Sequence, residues 1–287
     1  MDTVLAIDIG GTKLAAGIVD GSGVLRSRAT RPTPGSGDGD DVLAAVLEAV
    51  AEVRTGDEVA CGVGCGGPMA PDAEVVSPLN IPAWRDFPLR ARLTEATGLP
   101  VHVDGDAKAL ALAEGWRGAA RGVDDFLAMV VSTGVGGGIV LDGRLLDGAA
   151  GNAGHVGHVI VEPDGRTCAC GAVGCLEAEA SGTAIAARLG APAASAPLEE
   201  RQRAGMLVGR AVASVANLLD LRLAVVAGSV ALGFGSPFFA AAQAELDARA
   251  RIDFAAGARI VPAGLGDEGP LVGAAAVALR GLPGRHS

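Results

Sequence analysis

Apolar and polar positions alternate in short blocks at the start of the chain, and between residues 4 and 30 they read as three strands: V-L-A-I-D-I, L-A-A-G-I-V and V-L-R-S-R-A-T. Gly10-Gly11 and the D-G-S-G run at 20–23 supply the turns. After a loop rich in Gly, Pro and Asp (32–40), Asp41 is placed to cap a helix whose Val42, Val46, Val50 and Val53 recur at helical spacing. E-V-A-C-G-V-G-C-G-G-P reads as a strand entering a Gly-rich turn, with Cys61 and Cys65 as core or loop residues. Residues 100–104 read as another strand, ending at Gly105, and a helix follows from Asp106.

Near Val123 the opening pattern returns. At an offset of 122 residues and with no gap, Leu5-Ala6 matches Leu127-Ala128, Ile18 matches Val140, and Asp20-Gly21 matches Asp142-Gly143. Such a repeat predicts two related lobes, each presenting a Gly-rich hairpin toward a shared cleft where ligands would sit. Helices are expected over about 181–190 and 198–219, the second with Met206, Val208, Val212, Val215, Leu218 and Leu219 mostly on one face. The uncharged run 223–244 is long enough to raise the question of a membrane span, but Gly228, Gly233, Gly235 and Pro237 punctuate it. It reads as strand, Gly-rich loop and helix start. A-R-I-V-P-A is a further strand, and G-P-L-V-G-A-A-A-V-A-L-R closes the chain as a helix of small residues.

The 287 residues, 49% of them hydrophobic, suffice for two modest cores. A formal net charge of −10 argues against a general nucleic-acid or membrane-surface binder. Local phosphate recognition is compatible with it. The five cysteines are odd in number, and the first residues show no basic n-region, so a cytoplasmic protein without a signal peptide is expected.

Three of those cysteines, Cys168, Cys170 and Cys175, fall within eight residues and follow His158. Three thiolates and an imidazole make a closed tetrahedral set for a structural Zn²⁺, with no position left for a catalytic water. Gly165, Gly171 and Gly174 supply tight turns, and His155 is a rival ligand. Buried small residues or a disulfide are the plainer alternatives.

This stretch, together with D-I-G-G-T-K (Asp8–Lys13), G-D-A (Gly105–Ala107) and S-T-G-V-G-G-G (Ser132–Gly138), resembles the ROK family of bacterial sugar kinases and related repressors over nearly the whole chain. The resemblance implies a two-lobed, actin-like (ribonuclease H-like) α/β ATPase fold. Its N-terminal lobe would span 1–118 and regain a C-terminal helix at about 270–287; the other lobe, 119–269, would carry the zinc loop. It implies ATP and Mg²⁺, held through Asp8, Gly10, Gly11, Thr12 and Lys13 in one lobe and Thr133, Gly134, Gly136 and Gly137 in the other, with Gly228 on the adenosine side. Asp106, by residue type alone an ordinary helix cap, becomes the general base for a sugar hydroxyl, usually O6 of a hexose. Asn80 in S-P-L-N-I-P-A-W, Glu177 and His158 would contact the sugar, and the family is commonly dimeric or tetrameric.

Two positions depart from the family's pattern: Gly105 replaces the Asn before the catalytic Asp, and His155 replaces the Glu of G-E-x-G-H. Both are sugar contacts in the family, so the chemistry is expected to be kept while the choice of sugar changes from the default, glucose. The alternative function is a non-catalytic sugar-binding regulator; family repressors carry a DNA-binding domain before the first phosphate loop, which here starts at Asp8. A third reading is a zinc-stabilised interaction module that no longer turns over ATP.

Overall fold

The computed structural model describes residues 2–35 and 37–282. The chain divides into two compact units: Met1–Gly118 with Asp147–Ala153 and Leu265–Ser287, and Ala119–Leu146 with Gly154–Gly264. The segment 147–153 thus clusters with the first unit.

The first unit opens with β1 (Thr3–Ile9), β2 (Lys13–Asp20) and β3 (Leu25–Pro32), followed by α1 (Gly39–Val53), β4 (Glu58–Cys65), α2 (Leu89–Thr97), β5 (Val101–Gly105) and α3 (Asp106–Trp116). The sheet runs β3-β2-β1-β4-β5; β1, β4 and β5 are parallel, and β2 and β3 complete an antiparallel meander. Alternation along β1 decides which face each residue serves. Leu5, Ile7 and Ile9 pack with Val42, Val46, Val50 and Val53 of α1, whereas Val4 and Ala6 pack with Leu271, Ala274, Ala275 and Ala278 of the last helix. A sheet covered on both faces needs apolar residues at successive positions, which is why β1 reads as an almost unbroken apolar run. Helix α1 starts one turn's approach earlier than the valine spacing predicts. Asp38 is its N-cap, accepting from the Asp40 and Asp41 amides, and Asp41 completes the capping box as the third helical residue by accepting from the Asp38 amide.

The second unit repeats the plan with β6 (Phe126–Val131), β7 (Val135–Leu141) and β8 (Arg144–Leu145), then α4 (Leu176–Ala180), α5 (Gly182–Leu189), α6 (Leu198–Leu219), β9 (Leu223–Ala227), α7 (Ser229–Phe234), α8 (Ser236–Arg249) and β10 (Arg259–Pro262). Its sheet order, β10-β9-β6-β7-β8, matches the first sheet strand for strand. The gapless offset fails at one place. Leu5 pairs with Ile18, but Leu127 pairs with Ile139 rather than Val140, so the first turn of the second copy is one residue tighter. Asp142-Gly143, both at positive φ, form a true two-residue hairpin, whereas Asp20 organises a longer turn by accepting from the Ser22 and Val24 amides.

Helix α6 buries Leu207, Val208, Ala211, Val212 and Val215 as the periodicity predicts, but Leu218 is 80% exposed because the apolar stripe rotates away before the last turn. The last helix, α9 (Gly269–Gly281), lies on β1 and β4 of the first unit. Residues 223–244 resolve into β9, α7 and most of α8, and no helix among the described residues is long and apolar enough to cross a membrane.

Candidate active site and zinc loop

In the first unit the candidate residues gather at the carboxyl ends of the parallel strands, the usual ligand side of such sheets. Asp8 of β1 lies opposite Gly64 of β4, which lies opposite Asp104 of β5. A β-carbon at Gly64 would stand 3.8 Å from both Asp8 Oδ1 and the Asp106 Cα, so this glycine is the floor between the two acids. Asp106 is the first residue of α3, exposed, with its Oδ1 accepting from the Ala107 amide at 2.7 Å; Gly105 holds the cap position. Burial pushes the Asp8 carboxyl up to about 7, and the Asp106 charge adds to that rise while Lys13 and Arg28 oppose it. Two carboxylates that resist joint ionisation suit a site completed by a cation, and Asp8 fits a Mg²⁺ contact in that sense.

Beside them the turn from β1 to β2 is closed by Gly10 N–H donating to the Lys13 carbonyl (3.0 Å) and by the Thr33 hydroxyl donating to the Gly10 carbonyl (2.6 Å). Thr12 and Lys13 are exposed there. A β-carbon on Gly11 would lie 2.8 Å from Asn80, so the missing side chain is what lets Asn80 rest against this turn. At Gly105, φ −59° and ψ 139° suit any residue, and a β-carbon would meet only the Lys108 side chain at 3.9 Å or more.

In the second unit the turn between β6 and β7 is Ser132-Thr133-Gly134, and Thr133 is exposed on it. The glycine run after it is not turn but strand. Gly136, Gly137 and Gly138 pair with Val130, Met129 and Ala128, and Gly137 is buried with Val156 and the Gly154 carbonyl in the space its β-carbon would take. Packing therefore accounts for Gly137, and the candidates left for phosphate are Thr133, exposed, with Gly134 and Gly136, both half-buried. Gly228 sits at φ 100° with the Val131 carbonyl where a β-carbon would project, which only glycine tolerates, and it brings Ser229 Oγ within 2.9 Å of Ser132 Oγ. Glu177 of α4 accepts from the Val135 amide at 2.9 Å.

His158, Cys168, Cys170 and Cys175 bring their ligand atoms within 4.8 Å of one another. Cys170 Sγ to Cys175 Sγ and Cys168 Sγ to His158 Nδ1 are each 3.7 Å. Tetrahedral zinc with bonds of about 2.3 Å has ligand–ligand edges of about 3.8 Å, so the donor set fits that ion. His155 stands outside the cluster, its ring 6.0 Å from that of His158, and is exposed. Burial, and then the neighbouring Cys170 and Cys168 thiols, push Cys175 up to about 12, while Cys170 is lowered by the Ala172 amide and Cys168. Zinc takes its cysteine ligands as thiolates, so loading the site would release protons.

Two charge networks escaped the sequence reading. Lys108, 8% exposed, reaches Asp104 (2.9 Å), Asp147 (2.8 Å) and the Gly151 carbonyl (3.2 Å), and Arg280 of α9 pairs with both aspartates. The zinc loop and the helix α4 that follows it are docked on α6 by Arg210 to Glu162 and Arg203 to Glu179, both at 2.6 Å. Only the i,i+4 spacing of Asp104 and Lys108 was visible in the sequence; the other partners are too far apart along it.

The sequence pattern of the ROK family matches residues 4–280. The chain is 39% identical over 248 residues to an N-acetylmannosamine kinase of Citrobacter koseri, covering 81% of this chain and 85% of that one. It is 42% identical over 185 residues to a glucokinase of Thermotoga maritima, a match that spans 63% of this chain and only 58% of that relative. The solved structure of a ROK family glucokinase from Streptomyces griseus in complex with glucose and AMPPNP aligns with a TM-score of 0.84 at 31% identity, covering 97% of this chain and 100% of that one. The chain therefore belongs to the ROK family and has the actin-like fold, two mixed sheets with helices, of its sugar kinases.

Proposed function

We propose that the chain is an ATP-dependent sugar kinase that phosphorylates a hexose, with glucose as the reference substrate and O6 as the acceptor. The observation that carries the reading is the pair Asp8 and Asp106, set side by side at the strand ends next to the Gly10–Thr12 turn and Asn80. Phosphoryl transfer needs positioning and charge neutralisation more than covalent chemistry. The sugar oxygen bonds to the γ-phosphorus, the bond from that phosphorus to the β,γ-bridging oxygen breaks, and ADP leaves. Asp106 takes the hydroxyl proton. Asp8 would hold Mg²⁺, which when bound neutralises the phosphate oxygens. Gly10, Gly11, Thr12 and Lys13, with Thr133, Gly134 and Gly136, would contact the phosphates, and Gly228 the adenosine side.

For the sugar we assign Asn80, the Gly105 backbone, His155, His158 and Glu177. In our assignment His158 uses Nδ1 for zinc and keeps Nε2 for a hydroxyl, and the structural zinc fixes the loop that carries both. N-acetylmannosamine is the rival substrate, favoured by the longer alignment with kinases of that sugar. The same reading places the enzyme in the cytoplasm as a dimer or tetramer, with neither nucleic acid nor membrane as partner, in keeping with its net charge of −10.

The test is ADP release from Mg·ATP against hexoses, N-acetylhexosamines and cyclitols. Turnover of one sugar, cut by 10² or more in Asp106→Asn with nucleotide binding retained, supports the assignment. Silence across the panel in a protein that binds sugar would favour the non-catalytic regulator instead.

A further inference from the structure

We propose that Glu177 is a positioning residue for the 132–135 hairpin and makes nucleotide affinity depend on the zinc loop; the inference rests on the kinase reading above. The hairpin turn is held from behind by several contacts within the second unit. Gly182 N–H donates to the Ser132 carbonyl (2.7 Å), and the Thr183 amide and hydroxyl both donate to the Thr133 carbonyl (3.2 and 3.0 Å). Ser229 meets Ser132 side chain to side chain at 2.9 Å. At the exit of the turn, Glu177 Oε2 takes the Val135 amide at 2.9 Å, and a β-carbon on Gly134 would lie 2.8 Å from that same oxygen.

A carboxylate is an unexpected neighbour for a turn assigned to phosphate, because its charge repels an anion. Its presence is explained if it serves as an acceptor that fixes the turn, with Oε1 left for a sugar hydroxyl. The helix that carries it is tied to the zinc loop on both sides. Cys175 precedes α4 directly, the Leu176 amide donates to the Val159 carbonyl (2.9 Å), and Glu179, 2% exposed, accepts from the Arg166 amide (2.6 Å) while pairing with Arg203. Release of the loop therefore reaches the hairpin through Glu177.

The two functions of the side chain, acceptor and charge, separate by substitution. Glu177→Gln keeps an acceptor oxygen for Val135 and removes the repulsion; Glu177→Ala removes both. Titration calorimetry with Mg·AMP-PNP on the zinc-loaded chain should show affinity about tenfold weaker in Glu177→Ala, the worth of one charge-assisted hydrogen bond. In Glu177→Gln it should equal or exceed that of the unaltered protein. Hydrogen exchange should find the Val135 amide protected in the unaltered protein and in Glu177→Gln but exposed in Glu177→Ala, and chelator-stripped protein should shift in the Glu177→Ala direction by both readouts. Unchanged affinity and Val135 protection in Glu177→Ala, or a loss in Glu177→Gln as large as in Glu177→Ala, would overturn the inference while leaving the kinase reading intact. If the unaltered protein binds no AMP-PNP, the kinase reading falls and takes this inference with it.

Discussion

Lys108→Met is the substitution that most directly probes what holds the proposed catalytic end of the first unit in place. Methionine keeps the buried stem and removes the ammonium, which meets three acceptors: Asp104 at 2.9 Å, Asp147 at 2.8 Å and the Gly151 carbonyl at 3.2 Å. Removing one partner of a buried ion pair costs about 3–5 kcal/mol because the other charge is stranded. The lower end applies here. Asp147 is 47% exposed and Arg280 still pairs with it, so water and the guanidinium recover part of the loss, whereas Asp104, 16% exposed, recovers less. About 3 kcal/mol corresponds to a fall of roughly 6–12 °C in melting temperature for a chain of this size. Urea unfolding of Lys108→Met, Asp147→Asn and the double variant should give a coupling of at least about 1 kcal/mol, since the groups touch. Burial raises the Asp147 carboxyl, but its hydrogen bonds from Arg280 and Lys108 outweigh burial and hold it low. A lowered carboxyl contributes stability above its ordinary range that is lost as the pH falls through its folded value, so the gap between unaltered protein and Lys108→Met should close on acidification. A drop below about 1 kcal/mol at neutral pH, additive with Asp147→Asn, would show that the network holds nothing together.

Three further outcomes are expected. Metal analysis should find one zinc per chain and none in Cys170→Ser; zinc-free protein with an unaltered hydrogen-exchange pattern at 165–175 would refute the structural site. Because Asp8 is raised to about 7, the folded state holds a proton that the unfolded state gives up near 3.8, so its contribution to stability is full at low pH and disappears as pH rises through 7. Between pH 6 and pH 8 that loss is about 1.4 kcal/mol. Melting of the nucleotide-free protein should show the decline and Asp8→Asn should lack it; the same slope in both would reject the assignment. Gly105→Asn with His155→Glu should raise kcat/KM for glucose at least tenfold over N-acetylmannosamine, the open space around Gly105 accepting the new side chain; an unchanged ratio would mean that neither position touches the sugar.

What the sequence disclosed about this molecule depended on how far apart the interacting residues lie along it. Strands β1 to β3, their second copy, the zinc quartet and helix α6 were legible because each is written locally, as an alternation, a ligand spacing or a helical period. The repeat predicted two related lobes, and the two sheets do share one strand order, but that order itself was not written in the sequence. The cap of α1 was misplaced by three residues because Asp38, Asp40 and Asp41 compete for one role, and only geometry separates the cap from its capping-box partner. The glycine run at 136–138 shows a deeper limit. Glycines next to a phosphate turn and glycines under a crossing loop look alike in a sequence, and Gly137 belongs to the second kind because Val156 and the Gly154 carbonyl fill its side-chain space. The contacts of Lys108 with Asp147 and of Glu177 with Val135 were out of reach for the same reason. Each joins residues some 40 positions apart or more, with no spacing rule to announce them, yet they bear on the two segments where the proposed chemistry must be held still. Family motifs thus named the groups that would touch ligand, while the residues that hold those groups in register had to be read from the fold.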